Sequence, residues 1–536
     1  MHTSEPFGSN GAEPLGPVED GLHWLLATAM HCCIGLALGL LAARSLRARG
    51  LRWSWPASAL ILIVLLRAQL GVLTVTLGSA ALAASARTRR WHREDLEAGA
   101  DLGVTARSRR GPLDLLESCA RAVPARALPR RGFRNGELVI GRDERSRVVS
   151  VPFAGEHGGT HTLVLGATGS GKTVTQTWIA ARAIERGMGA VVIDPKGDWA
   201  MREELQLAAR LAGRAFIEWT PSGDCTYNPY ARGSDTEIAD RLLAGERFTE
   251  PHYLRQAQRY LGHVVRVIRC GAGEVSLRGI VEGLDPERLE VLARTLAEPD
   301  ALLTHSYLDG LSQRQRSDLA GVRDRLAIMA ESDVGPWLDP QTPGATRLAL
   351  LEAVRARAVV YFCLESDTRP LLAQMIGAAV VQDIQSSVAA LQRQPIATLV
   401  VIDEFSAVAA EQVVRLFARA RSAGFSLLLG TQELSDLRPP GGERLLEQVL
   451  GNLSLLIAHR QVVPASAEMI AAVAGGRGAW RVSRRSDGST TRTRTREAVL
   501  DADRVTRLRP GSAAVIVPGA MPGVRIAQVF SPQSWR

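Results

Sequence analysis

The sequence predicts an α/β chain: a doubly wound, mostly parallel sheet, interrupted by an all-helical insertion and preceded by N-terminal transmembrane helices. Three observations carry this. Short apolar runs suited to buried parallel strands recur at 162–165, 190–193, 215–218, 358–362, 398–402, 425–429, 454–458 and 513–517, with helical patterns between most of them. From 234 to 345 that alternation stops, and stretches such as HYLRQAQRYLGHVVRVIR and DPERLEVLARTLAE read as helices throughout. Near the N-terminus, Leu22 to Ala43 carries no charge, and Ala57 to Ala86 is interrupted only by Arg67. Each run is long enough to cross a bilayer.

The expected divisions follow from these patterns. Residues 1–95 form a tail and membrane anchor, with spans at about 22–43 and 57–86, and 96–150 a basic linker entering the sheet. The sheet domain begins over 151–233, is interrupted by the helical insertion over 234–345, and resumes with a C-terminal segment over 346–536. A length of 536 residues accommodates several such units. An apolar fraction of 46% with 22% charged residues excludes a disordered chain.

The net charge of +9 is local. Residues 1–43 hold four acids (Glu5, Glu13, Glu19, Asp20) and neither Lys nor Arg. Residues 44–150 hold twenty arginines and nine acids, a net of +11, which leaves +2 for everything after. A basic segment beside apolar spans suits anionic lipid head groups and sets orientation, with nucleic-acid contact a second reading. The acidic start and the long apolar run set Leu22–Ala43 apart from a signal peptide. Two spans with both ends in the cytosol would turn the connector RSLRARGLRW, with four arginines, outward against the positive-inside rule. The alternative places the tail outside and makes 57–86 re-entrant or interfacial, with Arg67 at the break. Two spans are the favoured expectation, because the following domain must stay in the cytosol with its ligand. The six cysteines show neither a CxxC pair nor a zinc-like spacing with His, so neither a metal cluster nor a disulfide framework is expected.

The ligand is read from HTLVLGATGSGKT. A buried strand, a glycine loop and a helical pattern ending at Gly187 make the context in which G-x-x-x-x-G-K-T binds phosphates. Gly166, Ala167, Thr168, Gly169, Ser170 and Gly171 form the loop, whose amides and helix N-terminus face an anion. Lys172 reaches the β- and γ-phosphates and Thr173 ligates magnesium, which makes ATP and Mg2+ the expected ligands. Downstream, ATLVVIDEF ends a four-residue apolar run in two acids. Asp403 is the metal-side carboxylate and Glu404 the one that orients or deprotonates the attacking water. In ARSAGFSLLLGTQ, Gln432 sits at a strand tip where a polar group can sense the γ-phosphate. Arg421, eleven residues earlier, reads either as a surface arginine or as a finger toward a neighbouring subunit's ATP. Arg460, after SLLIAH, is a weaker candidate.

Of 64 Lys and Arg residues only Lys172 and Lys196 are lysines. A compact ammonium suits the phosphate loop better than a planar guanidinium. Lys196, in VVIDPKGD, ends a strand near the loop; it approaches the nucleotide or a subunit boundary, or belongs to a turn set by Pro195 and Gly197. The stretch GRGAWRVSRRSDGSTTRTRTRE carries Arg477, Arg481, Arg484, Arg485, Arg492, Arg494 and Arg496 with Trp480. It reads equally as a solvated hairpin or as a DNA contact in a pore.

The order HTLVLGATGSGKT, VVIDPKGD, YNPYA, the helical stretch, GPWLDP, VVIDEF, ARSAGFSLLLGTQ and TRTREAVLDADRVTRLRPGSAAVI, behind a membrane anchor, resembles the conjugative coupling proteins of type IV secretion systems (TraG/TraD kind), within the FtsK/HerA branch of motor ATPases. The resemblance covers essentially the whole chain. It implies a RecA-like P-loop fold, an ATPase and a homo-hexamer at the inner face of the cell membrane. Its implied partners are single-stranded DNA, a relaxase and components of the secretion channel. It also implies that Lys172, Thr173, Asp403, Glu404 and Gln432 carry the nucleotide chemistry, that Arg421 is a finger acting in trans, and that the helical insertion selects substrate. A double-stranded DNA translocase and a protein-cargo receptor are the other readings.

Overall fold

A computed structural model describes residues 17–48, 54–65, 72–97, 100–101, 132–134, 136–144, 146–153, 159–244, 250–271, 273–408, 410–438, 444–484, 490–519 and 523–532. The chain divides into two units, residues 1–124 with 475–499, and residues 125–474 with 500–536.

In the first unit, helices α1 (Pro17–Ala48), α2 (Ser54–Leu65) and α3 (Val72–Glu97) follow one another. Among the described residues only Leu22–Leu46, within α1, is long and apolar enough to cross a membrane. Its Leu22, Trp24, Leu25, Leu26 and Leu41 side chains are more than half exposed, a surface that suits lipid. Gly35 and Gly39, four residues apart, let α1 lie directly on α3. A Cβ on Gly39 would sit 2.3 Å from the Ala80 carbonyl oxygen and 2.8 Å from the Ala83 Cβ. Gly35 meets Thr76 and Ser79 in the same way. This is small-residue packing of the kind that joins helices in lipid.

These contacts advance in step along both helices, so α1 and α3 run parallel. The run expected as a second span covers 57–86. The run is divided between α2 and α3, and Arg67, with the rest of 66–71, lies outside the described residues. A helix of 12 residues, as α2 is, rises only about 18 Å, short of the roughly 30 Å of a hydrocarbon core. The tail acids Glu5 and Glu13, the connector's Arg49 and Arg52, and Cys119 also lie outside the described residues.

The basic stretch 476–497 forms an antiparallel hairpin, Gly476–Arg484 with Thr490–Ala498, and Ala100–Asp101 adds a parallel edge to it. It groups with the N-terminal unit, which no local pattern announced. Arg485 lies outside the described residues, as do the side chains of Trp480, Arg481, Arg484 and Arg492.

The second unit is built on a 12-stranded sheet. Its centre is seven parallel strands: β1 (Thr162–Leu165), β2 (Gly189–Asp194), β3 (Phe216–Trp219), β4 (Val359–Cys363), β5 (Thr398–Ile402), β6 (Phe425–Thr431) and β7 (Leu455–Ala458), in the order β7-β1-β6-β5-β2-β4-β3. All seven were legible as apolar runs, because parallel strands covered on both faces carry no polar alternation. The eighth expected run, 513–517, is a strand over Ser512–Ile516, but it pairs antiparallel with β7. Val524–Val529, Glu137–Arg142, Phe133–Arg134 and Val148–Val151 continue that antiparallel side. Helices cover both faces, and buried side chains form one core on each. Between β3 and β4, the described residues from Asp235 to Ala330 form six α-helices, beginning with Asp235–Leu242 and ending with Gln313–Ala330.

Two buried imidazoles join the sheet layers. The Leu427 amide donates to His161 Nδ1 at 3.2 Å, and the ring packs edge-on to Phe417. His459 Nδ1 donates to the Ser512 carbonyl at 3.0 Å, and its Nε2 accepts from the Thr175 hydroxyl at 2.8 Å. Each ring thus accepts at one nitrogen, which only the neutral form can do. Burial pushes both down to about 4, aided at His161 by the Arg421 charge. Depressed folded-state values mean that this stability is complete above about pH 6.5 and is lost as pH falls toward 4. At pH 5 each imidazole should have cost about 2 kcal/mol. Denaturant midpoints of the full chain should therefore fall between pH 7 and pH 5, and the fall should shrink in His459→Gln. Equal falls in both proteins would contradict the assignment.

Candidate active site

Four adjacent strands, β1, β6, β5 and β2, end on one side of the sheet and deliver the site. After β1 the loop Gly166–Gly171 turns into helix α4 (Lys172–Glu185). Gly169 and Gly171 have φ of 73° and 108°, left-handed conformations that glycine adopts without strain. A Cβ on Gly171 would also press on Gly511 at 3.2 Å. Gly171 caps α4 with no side-chain hydrogen bond, so the first-turn amides keep their capacity to bind an anion. A cavity of about 310 Å³ opens here, lined by the loop, Thr173, Asp194, Lys196, Asp403, Glu404 and Gln432. Its amides, one hydroxyl, carboxylates and ammonium groups fit a nucleotide's phosphates with a divalent cation.

Asp403 and Glu404 follow β5 and are nearly buried. Two adjacent buried carboxylates need cations. Lys172 Nζ lies 3.0 Å from Asp403 Oδ1 and 2.6 Å from Glu404 Oε1. Burial holds the Asp403 carboxyl above its ordinary value despite Lys172. Burial also acts to raise Glu404, but Lys172, then Gln432 and Lys196, outweigh it and hold that carboxyl below the usual range. Glu404 has φ 45°, a left-handed conformation costing a non-glycine residue about 1–3 kcal/mol. Its amide is held by Asp403 Oδ1 at 3.0 Å.

The neighbouring strands supply more donors. From β6, Gln432 Nε2 donates to Glu404 Oε1 at 3.1 Å. From β2, Lys196 Nζ approaches the same oxygen at 3.2 Å. Lys172, Thr173, Asp403, Glu404 and Gln432 are thus together, and Lys196 joins them. Asp194 does not. Its Oδ1 accepts the Lys196 and Gly197 amides, and its Oδ2 accepts the Asp198 amide and the Tyr361 hydroxyl.

Arg421 is elsewhere. It opens the 3-10 turn Arg421–Ala423 before β6, and its Nη2 donates to the Asn452 carbonyl at 3.1 Å and to Ser454 Oγ at 3.2 Å. The seven residues of β6 separate it by about 20 Å from Gln432 at the other end. It cannot serve the nucleotide site of its own chain. Arg460 contributes its carbonyl, which accepts the Ala167 amide at 3.1 Å and steadies the loop.

Three supports carry no sequence signal. His459 braces Gly171, Thr175 and Ser512 beneath the loop. Gln176 is fully buried beside Asp403. Gly430 leaves room for both, since a Cβ there would lie within 2.6 Å of Asp403 Oδ1 and of the Gln176 amide. Each gains meaning only from contacts far along the chain.

Residues 397–510 match the family model described as the TraM recognition site of TraD and TraG, and residues 136–219 match the one described as the central domain of helicase HerA. A search of curated proteins finds no match. Among solved structures, the unbound bacterial conjugative coupling protein TrwB is similar at TM-score 0.54 and 17% identity, over 74% of this chain and 89% of that one. TrwB with the ATP analogue ADPNP is similar at TM-score 0.52 and 17% identity, over 70% and 86%. VirB4 of Thermoanaerobacter pseudethanolicus is similar at TM-score 0.51 and 14% identity, over 75% and 99%. At such identities the structures share the fold. The HerA match holds the phosphate loop and the TraD/TraG match holds Asp403, Glu404, Arg421 and Gln432, so the two segments that build the site are similar to these two families.

Proposed function

We propose that the chain is a membrane-anchored, ATP-hydrolysing coupling protein that recruits relaxase-bound DNA to a type IV secretion channel and drives its conjugative transfer. The observation that carries this is the convergence of Lys172, Gln432 and Lys196 on the Glu404 carboxylate beside a phosphate loop. A chain that used nucleotide only for assembly would have no use for so ordered a carboxylate.

The loop amides and Lys172 bind the phosphates and hold them in line with Glu404. Thr173 and Asp403 would hold Mg2+, which when bound offsets the phosphate charge; TrwB has been solved with ADP and Mg2+. Glu404 takes the proton of the attacking water as general base. Gln432, hydrogen-bonded to Glu404 at the tip of β6, couples the γ-phosphate to the strand behind it. Arg421, at the opposite strand ends, supports a homo-hexameric ring in which it reaches the ATP of the next subunit. The apolar α1 supports an inner-membrane anchor with the ATPase in the cytoplasm. The hairpin arginines Arg477, Arg494 and Arg496 are candidates for sequence-independent phosphate contacts.

The HerA match over 136–219 favours one other reading, a double-stranded DNA translocase. ATP hydrolysis by the full chain in detergent or nanodiscs should rise several-fold with single-stranded DNA and less with duplex. In cells, Lys172→Ala should abolish DNA transfer while the protein stays membrane-bound. Stimulation by duplex alone would favour the translocase, and unimpaired transfer by Lys172→Ala would overturn the coupling role.

A further inference from the structure

We infer that Lys196 is a positioning residue that anchors Glu404 for water attack, holding one carboxylate oxygen so that the other serves as the base. The inference rests on the ATPase reading. It accounts for the second of the chain's only two lysines, in a sequence that uses arginine for every other basic side chain apart from histidine.

The turn that carries Lys196 is built for aim. Asp194 ends β2 with both carboxylate oxygens committed inside the turn, to three successive amides and the Tyr361 hydroxyl. Pro195 restricts the backbone at the next position. Gly197 takes φ 77°, and a Cβ there would lie 2.9 Å from Cys363 Sγ on the adjoining strand. Asp198 then caps helix α5 (Trp199–Leu211) through the Met201 amide. With its backbone fixed on both sides, Lys196 extends from the end of β2 toward the end of β5. The two strands are in register up to Ile193 and Ile402, so Lys196 meets Glu404 from one side. Gln432 meets it from the other, because β6 is the opposite neighbour of β5.

All three donors go to one atom. Glu404 Oε1 takes Lys172 at 2.6 Å, Gln432 at 3.1 Å and Lys196 at 3.2 Å. Among the described residues Oε2 takes no hydrogen bond. A carboxylate pinned at one oxygen keeps the other oriented to accept a proton. Lys172 is shared with Asp403 and with the phosphates that its loop binds. Lys196 makes its ion pair with Glu404 and, among the described residues, none with Asp403. Its side chain is 50% exposed, and an ion pair that open adds little to stability. Its value therefore lies in orienting the base, and an ammonium on a flexible stem reaches a single oxygen where a guanidinium fork would span two.

The test is ATP hydrolysis by the full chain, with fluorescent-nucleotide affinity measured on the same preparations, for wild type, Lys172→Ala, Lys196→Met and Lys196→Arg. Lys172→Ala should lose nucleotide affinity, which tests the ATPase reading by itself. Lys196→Met should lose about tenfold in kcat, with KM and nucleotide affinity within about twofold of wild type, as expected for an interaction that matters in the transition state. Lys196→Arg should recover part of that loss. An unchanged kcat in Lys196→Met, or a loss confined to KM and affinity, would overturn the inference. So would a Lys196→Met chain that no longer binds nucleotide, because the residue would then be structural. A wild-type chain that binds nucleotide without hydrolysing it would overturn the ATPase reading instead, and this inference with it.

Discussion

The site depends on compensating two adjacent, nearly buried carboxylates. Placing Asp403 and Glu404 side by side at the end of β5 removes both from water and sets like charges against each other, a cost of several kcal/mol unless cations and donors meet them. Lys172 supplies the main compensation. It does so only because the phosphate loop after β1 bends back over β6 toward β5. Strand order β1-β6-β5-β2 is thus a chemical requirement as well as a topological one. The left-handed Glu404 backbone is the local strain that this arrangement sustains.

The same order explains why the sequence showed so much of the site. Buried parallel strands are continuous apolar runs, and the residues just beyond them are the ones that meet at the sheet's edge. The loop GATGSGKT, the acids after VVI, and Gln432 after LLLGT were therefore legible as strand-end groups. What stayed hidden was pairing between distant segments. Ser512–Ile516 is as apolar as its parallel neighbours, yet it runs antiparallel, and no local signal encodes that direction. His459 looks like the end of an ordinary apolar strand until Thr175 and Ser512 are placed on either side of it. Lys196 was legible as an oddity of composition, but its partner lies 208 residues away. The packing of the N-terminal helices was hidden for a related reason. Hydropathy marks an apolar run and not its breaks, and the meaning of Gly35 and Gly39 emerged from the small residues of α3 opposite them.

Arg421 bears on the proposed ring. Its own strand, β6, holds it at the far edge of the sheet from Gln432, tied to the Asn452 carbonyl and to Ser454. A role in phosphoryl transfer requires a neighbouring copy to present its site to that edge. Gln432 and Arg421 would then mark the two ends of one strand that touches two nucleotide sites, a direct mechanical link between them.

The most direct test of the Glu404-centred site is the Glu404→Gln protein, which keeps the side chain's size and removes its charge and basicity. Single-turnover ATP hydrolysis should fall by about two to four orders of magnitude, with nucleotide affinity within a few-fold of wild type. Hydrolysis within a few-fold of wild type would contradict the assignment and place the base elsewhere.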